Sequence, residues 1–420
     1  MGNVRLLFGL AILGLAHSLP AQQASPWLLP NFSDRLEIQV SNPTDEPVDS
    51  VAVIPVALAR KTALRFPGSM AIAVIPGPAV ALIATQADDL DGDGVPDELV
   101  VPLKMQAHER LTVQVYYSTT LHEILPWTKR AGASHSFGYN RATVALESEA
   151  IGYRTYGGFF LDVQARAKGK PGLNNSLVGF LSSSAGDRSS VGRDILHIGD
   201  TLGLGGLFLR SGQDVFRPPL NTPDYVSQPQ PAEAPTYRVI SDGPIRAVVE
   251  ADMDRWTIGK DVVSIHATYS IEAGSEYVEC HFTILPLSLS RTYEVGTGIR
   301  HLPQMKMDPG LGRLAVEGAQ SPKIGPLGLA LYFDPTTTAG TETLQTKNDA
   351  NEAVIFSERL EPGKAVTGHY WVAASWSGSG IEDLLHHLKE IQGKTRSSLV
   401  VDGLKHERTP APERLEGEAN

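Results

Sequence analysis

The sequence predicts an all-β protein: a small N-terminal β-sandwich, a large antiparallel β-sandwich after it, and one helix near the C-terminus. Three observations carry this prediction. Short runs alternate apolar and polar residues, as in Leu36-Glu-Ile-Gln-Val40 and Leu111-Thr-Val-Gln-Val-Tyr-Tyr117, and a period of two marks strands with one buried face. Glycine (40) and proline (29) are abundant and separate those runs, where tight turns need them. Apolar residues make up 42% of the 420-residue chain, enough for a large core.

The elements follow in chain order. Arg5 precedes the apolar run Leu6–Ala16, and Leu19-Pro-Ala21 offers a small residue before Gln22. This is the layout of a signal peptide, and the run is too short to cross a hydrocarbon core of about 30 Å. Residues 1–21 are set aside from the fold, and the protein is expected to be exported, to the periplasm or beyond the cell. No later stretch is long and apolar enough to read as a membrane helix. Residues 22–120 read as a sandwich of immunoglobulin-like size, with a further strand at Val51–Val56 and turns at Asn42-Pro43 and Pro67-Gly68. Pro126, Gly132 and Gly138 mark residues 121–141 as a connector.

Residues 142–395 read as the large sandwich. Its strands include Ala150–Tyr156, Phe159–Val163, Ile245–Glu250, Val262–Ile271, Tyr277–Ile284, Leu327–Phe333 and His369–Ala374. Arg217–Pro235 is proline-rich and reads as a surface loop. In Gly380–Ile391 the residues Ile381, Leu384, Leu385, Leu388 and Ile391 fall on one stripe of a helix. The charged, proline-containing stretch 396–420 reads as a partly disordered tail. The single cysteine, Cys280, alternates with Val278, Phe282 and Ile284 and reads as a core residue, so no intrachain disulfide is expected.

Composition also excludes function classes. Lys and Arg (36) are outnumbered by Asp and Glu (47), for a net charge of −11 without a basic stripe, which argues against nucleic acid as a partner. No P-loop, dinucleotide fingerprint, H-E-x-x-H or G-x-S-x-G is present, so no organic cofactor is expected. The sharpest local pattern is Asp89-Leu-Asp91-Gly-Asp93-Gly-Val-Pro-Asp97-Glu98. Carboxylates at positions one, three and five with Gly at six suit a calcium loop, although Val100 stands where an EF-hand has its glutamate. The loop resembles the shorter loops of dockerin and thrombospondin-type repeats. Asp89, Asp91, Asp93 and Asp97 are thus candidate ligands for a structural Ca2+.

Candidate catalytic residues lie on polar strand faces of the large unit. Arg246 and Glu250, with Asp252, point away from an apolar face formed by Ile245, Ala247, Val249 and Ala251. Arg154 and Tyr156 share a face, and Arg300 shares one with Gly296 and Gly298. If the turn after Ile271 centres between Ala273 and Gly274, His266 stands directly opposite His281, a pair suited to acid–base chemistry. Arg193, Asp194 and His197 form another polar cluster.

Several stretches together resemble the domain-of-unknown-function 4861 family over about residues 32–392. They are Asp88–Val101 (DDLDGDGVPDELVV), Leu146–Gly157 (LESEAIGYRTYG), Gly192–Phe208, Tyr237–Glu250, Ile271–Gly274 and Leu360–Ser377. The resemblance implies an exported bacterial protein of the kind found in gene sets that degrade pectin-like or other uronic-acid polymers. It carries over no functional residue. Many members have a His/Asp-rich stretch before the position of Gly192, where this sequence has Ser182–Ser190 without histidine.

The function expected is therefore action on an acidic glycan, as lyase or hydrolase. A lyase needs a cation for the uronate carboxylate, for which Arg246, Arg154 and Arg300 are candidates. It also needs a base and an acid, for which His266, His281 and Tyr156 are candidates. A hydrolase needs two carboxylates, and Glu250 and Asp252 are the nearest pair. The alternative is a non-catalytic glycan-binding or scaffold protein, with Trp371, Trp376 or Trp256 as stacking platforms. The large unit is expected to resemble the supersandwich of mutarotases and polysaccharide lyases. Replacing His266 or Arg246 by Ala is expected to abolish activity and leave thermal stability nearly unchanged.

Overall fold

The computed structural model describes residues 26–78, 80–119, 127–138, 141–155, 158–169, 192–219, 235–346, 349–395 and 399–409. Residues 1–21, read above as a signal peptide, and Tyr156 lie outside the described residues. The fold is almost wholly antiparallel sheet, as expected. In the N-terminal unit, Asp34–Ser41 lies between Arg110–Tyr117 and Val400–Arg408 in a five-stranded sheet. A three-stranded sheet of Val48–Pro55, Glu98–Met105 and Gln86–Asp88 accompanies it. The two share a core that includes Leu36, Ile38, Ile54, Leu103 and Val115.

Two elements here escape a pattern reading. Val400–Arg408, within the stretch read as a tail, returns to complete the first sheet. Only Val401 and Leu404 of this edge strand pack on the core, so its alternation is faint. Helix Val56–Thr62 continues directly from Pro55 at the end of a strand. Its apolar residues Val56 and Ala59 are the only ones it buries.

The large unit has one eight-stranded sheet. Its order is Thr236–Asp242, Arg246–Ile258, Asp261–Glu272, Tyr277–Ser288, Val366–Trp376, Pro326–Phe333, Arg313–Ala319 and Lys306–Gly310. Two five-stranded sheets, one built around Ile151–Arg154 and one around Tyr293–Arg300, share a single core with it. Alternation assigns the faces. Along Asp261–Glu272, Val263, Ile265, Ala267, Tyr269 and Ile271 are buried, while Ser264, His266, Thr268 and Ser270 point outward. Cys280 is buried and free.

Helix Leu384–Thr395 lies on the outer face of the eight-stranded sheet. Leu388 and Ile391 meet Ala315, Ala330, Tyr332 and Ala373, and the Tyr332 hydroxyl donates to the Leu388 carbonyl at 2.7 Å. The helix thus covers part of that face. On strands Arg246–Ile258, Asp261–Glu272 and Tyr277–Ser288, Asp252, His266, Thr268, Glu279 and His281 keep partial or full exposure, while Glu250 is buried and Arg246 is largely covered at the junction with the N-terminal unit.

Candidate functional site

The open part of the outer face carries the densest chemistry. Register places Glu250 opposite Thr268, Thr268 opposite His281, and His281 opposite His369, one row across four strands. The next row runs Asp252, His266, Thr283, Thr367. Adjacent strands stand about 4.8 Å apart, so the rows span the length of two to three sugar rings.

Two clusters sit on these rows. In the first, His266 Nδ1 lies 2.7 Å from Asp252 Oδ1, and Arg238 holds Glu250 through Nε and Nη2 at 3.0 and 3.1 Å. Burial pushes the Asp252 carboxyl up, against the His266 hydrogen bond. Burial acts the same way on Glu250, but hydrogen bonds from Arg238 and Asp252 outweigh it and bring that carboxyl down. An Nδ1 proton donated to Asp252 would leave the lone pair on Nε2 of a ring that is 47% exposed, a tautomer assigned from the hydrogen-bond partner. In the second cluster, His369 Nε2 and His281 Nε2 lie 2.9 and 3.4 Å from the same Glu279 oxygen. Their rings stack at 4.4 Å, and His369 meets Trp371 edge-on at 4.0 Å. Burial raises the Glu279 carboxyl, but the hydrogen bonds from His281 and His369 prevail and hold it at about 2. A cleft of about 680 Å³ opens here, lined by His281, His369, Thr283, Thr367, Asp334 and Glu358.

The expected His266–His281 pairing is corrected. His266 faces Thr283, and His281 faces Thr268 on one side and His369 on the other. The turn runs past Gly274, with Ser275 N donating to the Glu272 carbonyl at 3.0 Å, which moves the register by two residues. An even shift changes partners and preserves faces, so both histidines remain on the outer face. Three residues that the sequence reading left out complete the site: Arg238, Glu279 and His369. Arg238 and His369 sit on flanking strands that only the strand order brings in, and Glu279 stands two residues before His281 on the same strand.

The arginines named as uronate partners lie elsewhere. Arg246 reaches into the junction between the two units, where Nη2 lies 2.5 Å from both Asp88 and Glu98. Burial lowers its pKa, and the two carboxylates more than reverse this. Arg246→Ala is therefore expected to cost stability rather than leave it unchanged. Arg300 Nη1 donates to the His197 and Ile198 carbonyls. Arg154 is buried, with Nη2 at 2.6 Å from Asp162 and 3.2 Å from Asp194. Trp256 and Trp376 belong to the core; Trp371 is half-buried beside the helix.

The Arg154 network yields a pH prediction. Burial and the neighbouring Asp194 raise the Asp162 carboxyl to about 7, against the attraction of Arg154. A folded-state pKa above the unfolded one means the folded state holds an extra proton between about 4 and 7. Stability from this group is full below that window and declines as pH rises through about 7. Asp162→Asn is expected to flatten the melting temperature against pH between about 5 and 8, measured by thermal denaturation in a buffer series.

The acidic loop is ordered by its own carboxylates. Asp89 accepts from the Gly92 and Gly94 amides, Asp91 from Asp93, Asp93 from Val95, and Asp97 from Leu90. Gly92 and Gly94 have φ near +80° and +86°, a region that disfavours other residues. Oxygens of Asp89, Asp91 and Asp97 converge within 4.8 Å, and Asp93 stands outside that group. Arg238 Nη1 lies against Gly92, so the loop borders the first cluster.

The family described as Domain of unknown function (DUF4861) matches residues 40–401. The chain belongs to that family. No curated protein matches it. Among solved structures, an α-mannosidase from Enterococcus faecalis V583 superposes on 89% of this chain with a TM-score of 0.48 and 9% identity. A protein in glycosyl hydrolase family 38 from Enterococcus faecalis does so over 89%, with a TM-score of 0.48 and 7% identity. This chain covers 46% and 48% of those two chains, about half of their length. No helix among the described residues is long and apolar enough to cross a membrane.

Proposed function

We propose that this family member is an exported carbohydrate-active enzyme that cleaves a uronic-acid-containing glycan by elimination on the open outer face, with His266 as general base. The observation that carries this is the His266–Asp252 hydrogen bond of 2.7 Å on a ring that is 47% exposed. A carboxylate that fixes Nδ1 leaves Nε2 as a base aimed at a ligand on the face. His266 takes the proton from the carbon next to the uronate carboxylate. Those electrons form a carbon–carbon double bond, the adjacent carbon–oxygen bond breaks, and the departing oxygen takes a proton from water. Oxygens of Glu250 and Asp252 lie within 4.8 Å of one another, whereas an inverting hydrolase holds its carboxylates about 6.5–9.5 Å apart to admit water.

Release of reducing ends from a panel of acidic and neutral polysaccharides tests this reading. Cleavage confined to the acidic polymers is expected. Retention on the polymers without cleavage would instead favour a non-catalytic glycan-binding protein.

We also propose that the acidic loop binds structural Ca2+ through Asp89, Asp91 and Asp97, with Asp93 shaping the turn. Calcium at about 100 times its dissociation constant stabilises the folded state by about 2.7 kcal/mol. Calcium is expected to raise the melting temperature of the wild type, and Asp89→Ala is expected to remove that rise.

A further inference from the structure

The outer face presents a problem for an anionic ligand. Arg246, Arg154 and Arg300 are each engaged away from it, and Arg238 is paired with Glu250. Glu250, Asp252, Glu279, Asp334 and Glu358 make this side acidic. Elimination next to a carboxylate needs positive charge beside that carboxylate.

We propose that Glu279, His281 and His369 form a divalent-cation site of the zinc type, and that the bound cation holds the carboxylate of the glycan. Two imidazole nitrogens and a carboxylate oxygen converge from adjacent strands, all within 4.8 Å. Ligand atoms about 2.0–2.2 Å from a tetrahedral zinc stand about 3.3–3.5 Å apart. The separation of 3.4 Å from Glu279 to His281 already fits this, the 2.9 Å to His369 must lengthen by a few tenths of an ångström, and the two rings, now stacked, must turn so that both lone pairs meet the ion. Three protein ligands leave the fourth position open, the arrangement of metal sites that bind substrate. His281 and His369 also line the cleft of about 680 Å³, whose rim carries Asp334 and Glu358 and so attracts cations. Trp371 packs edge-on against the His369 ring. His266 lies diagonally across one strand pair from His281, with about 7–8 Å between the two residue positions, on the same face as the cation site. Binding of the cation stands on this geometry alone; the carboxylate it holds rests on the function proposed above.

The test uses the intact protein with cobalt(II) as a spectroscopic stand-in for zinc. Wild type is expected to show the visible bands of four-coordinate cobalt with one equivalent bound, displaced by zinc. His281→Ala and His369→Ala are each expected to weaken binding more than about 100-fold, beyond the 10–100-fold that partners outside the ligand shell command. His266→Ala should bind cobalt as wild type does, which separates this site from the base. Thermal melts check that each variant is folded. Absence of the bands in wild type, or bands that survive both substitutions, overturns the site whether or not the protein cleaves a glycan. In a second arm, chelation should reduce retardation of wild type in gels containing an acidic polysaccharide, and added zinc should restore it. Retardation insensitive to chelator overturns the assigned carboxylate role.

Discussion

His266→Ala is expected to lower turnover of the acidic glycan by about 10²–10⁴-fold, the usual contribution of a positioned general base. The folded state should hardly change. The ring is 47% exposed, its one close partner is Asp252, and neither lies in the core. Substitutions at such positions usually shift stability by no more than about 0.5 kcal/mol. Asp252→Asn gives the companion result. It keeps the shape but replaces the carboxylate by an uncharged amide whose NH2 can donate to Nδ1 and so no longer fixes the tautomer, so turnover falls while the Michaelis constant stays close to wild type. Initial rates of reducing-end release, read with thermal melts, check both variants. A His266→Ala protein that is folded and fully active removes the base from its assigned role.

Arg246→Ala should show the opposite split. Its guanidinium is 12% exposed and joins Asp88, which is fully buried, to Glu98 across the junction of the two units. Removing one partner of a buried ion pair typically costs about 3–5 kcal/mol, because the remaining charge is left without compensation. Two carboxylates are stranded here, and Asp88 keeps only its contacts with Ser241 and Gln86. Urea unfolding should report a loss of about that size. At a temperature where the variant is still folded, its activity should remain near wild type, since Arg246 does not face the histidine rows. Full activity loss with unchanged stability would return Arg246 to the site.

Period-two alternation made the fold class legible, because strands such as Asp261–Glu272 and Tyr277–Ser288 bury one face, although others, such as Ile151–Arg154 and Pro326–Phe333, are buried on both. The helix was legible from the stripe of Leu384, Leu388 and Ile391, which the structure seats on the sheet. The same alternation placed His266, His281 and Glu250 on the outer side. Partners across strands were not legible. The turn register that sets His281 against Thr268 depends on Ser275, one residue beyond the predicted centre. The pairing of Tyr277–Ser288 with Val366–Trp376 joins residues about ninety positions apart, and no local pattern announces it. For this reason His369 was read only as the start of a strand, whereas Glu279, two residues before His281 on the same strand and face, was within reach of the alternation and was passed over. The arginines were misplaced for a related reason. Alternation says which way Arg246 and Arg154 point, but not that the N-terminal unit brings Asp88 and Glu98 to one and that Asp162 and Asp194 close over the other.

The most direct measurement compares the ultraviolet absorbance of unsaturated uronyl ends with the count of new reducing ends during digestion of a uronic-acid polysaccharide. Elimination at His266 predicts that both rise together, one unsaturated end for each cleavage, and that both vanish in His266→Ala. Reducing ends that accumulate without the absorbance would contradict elimination and assign the chemistry to hydrolysis.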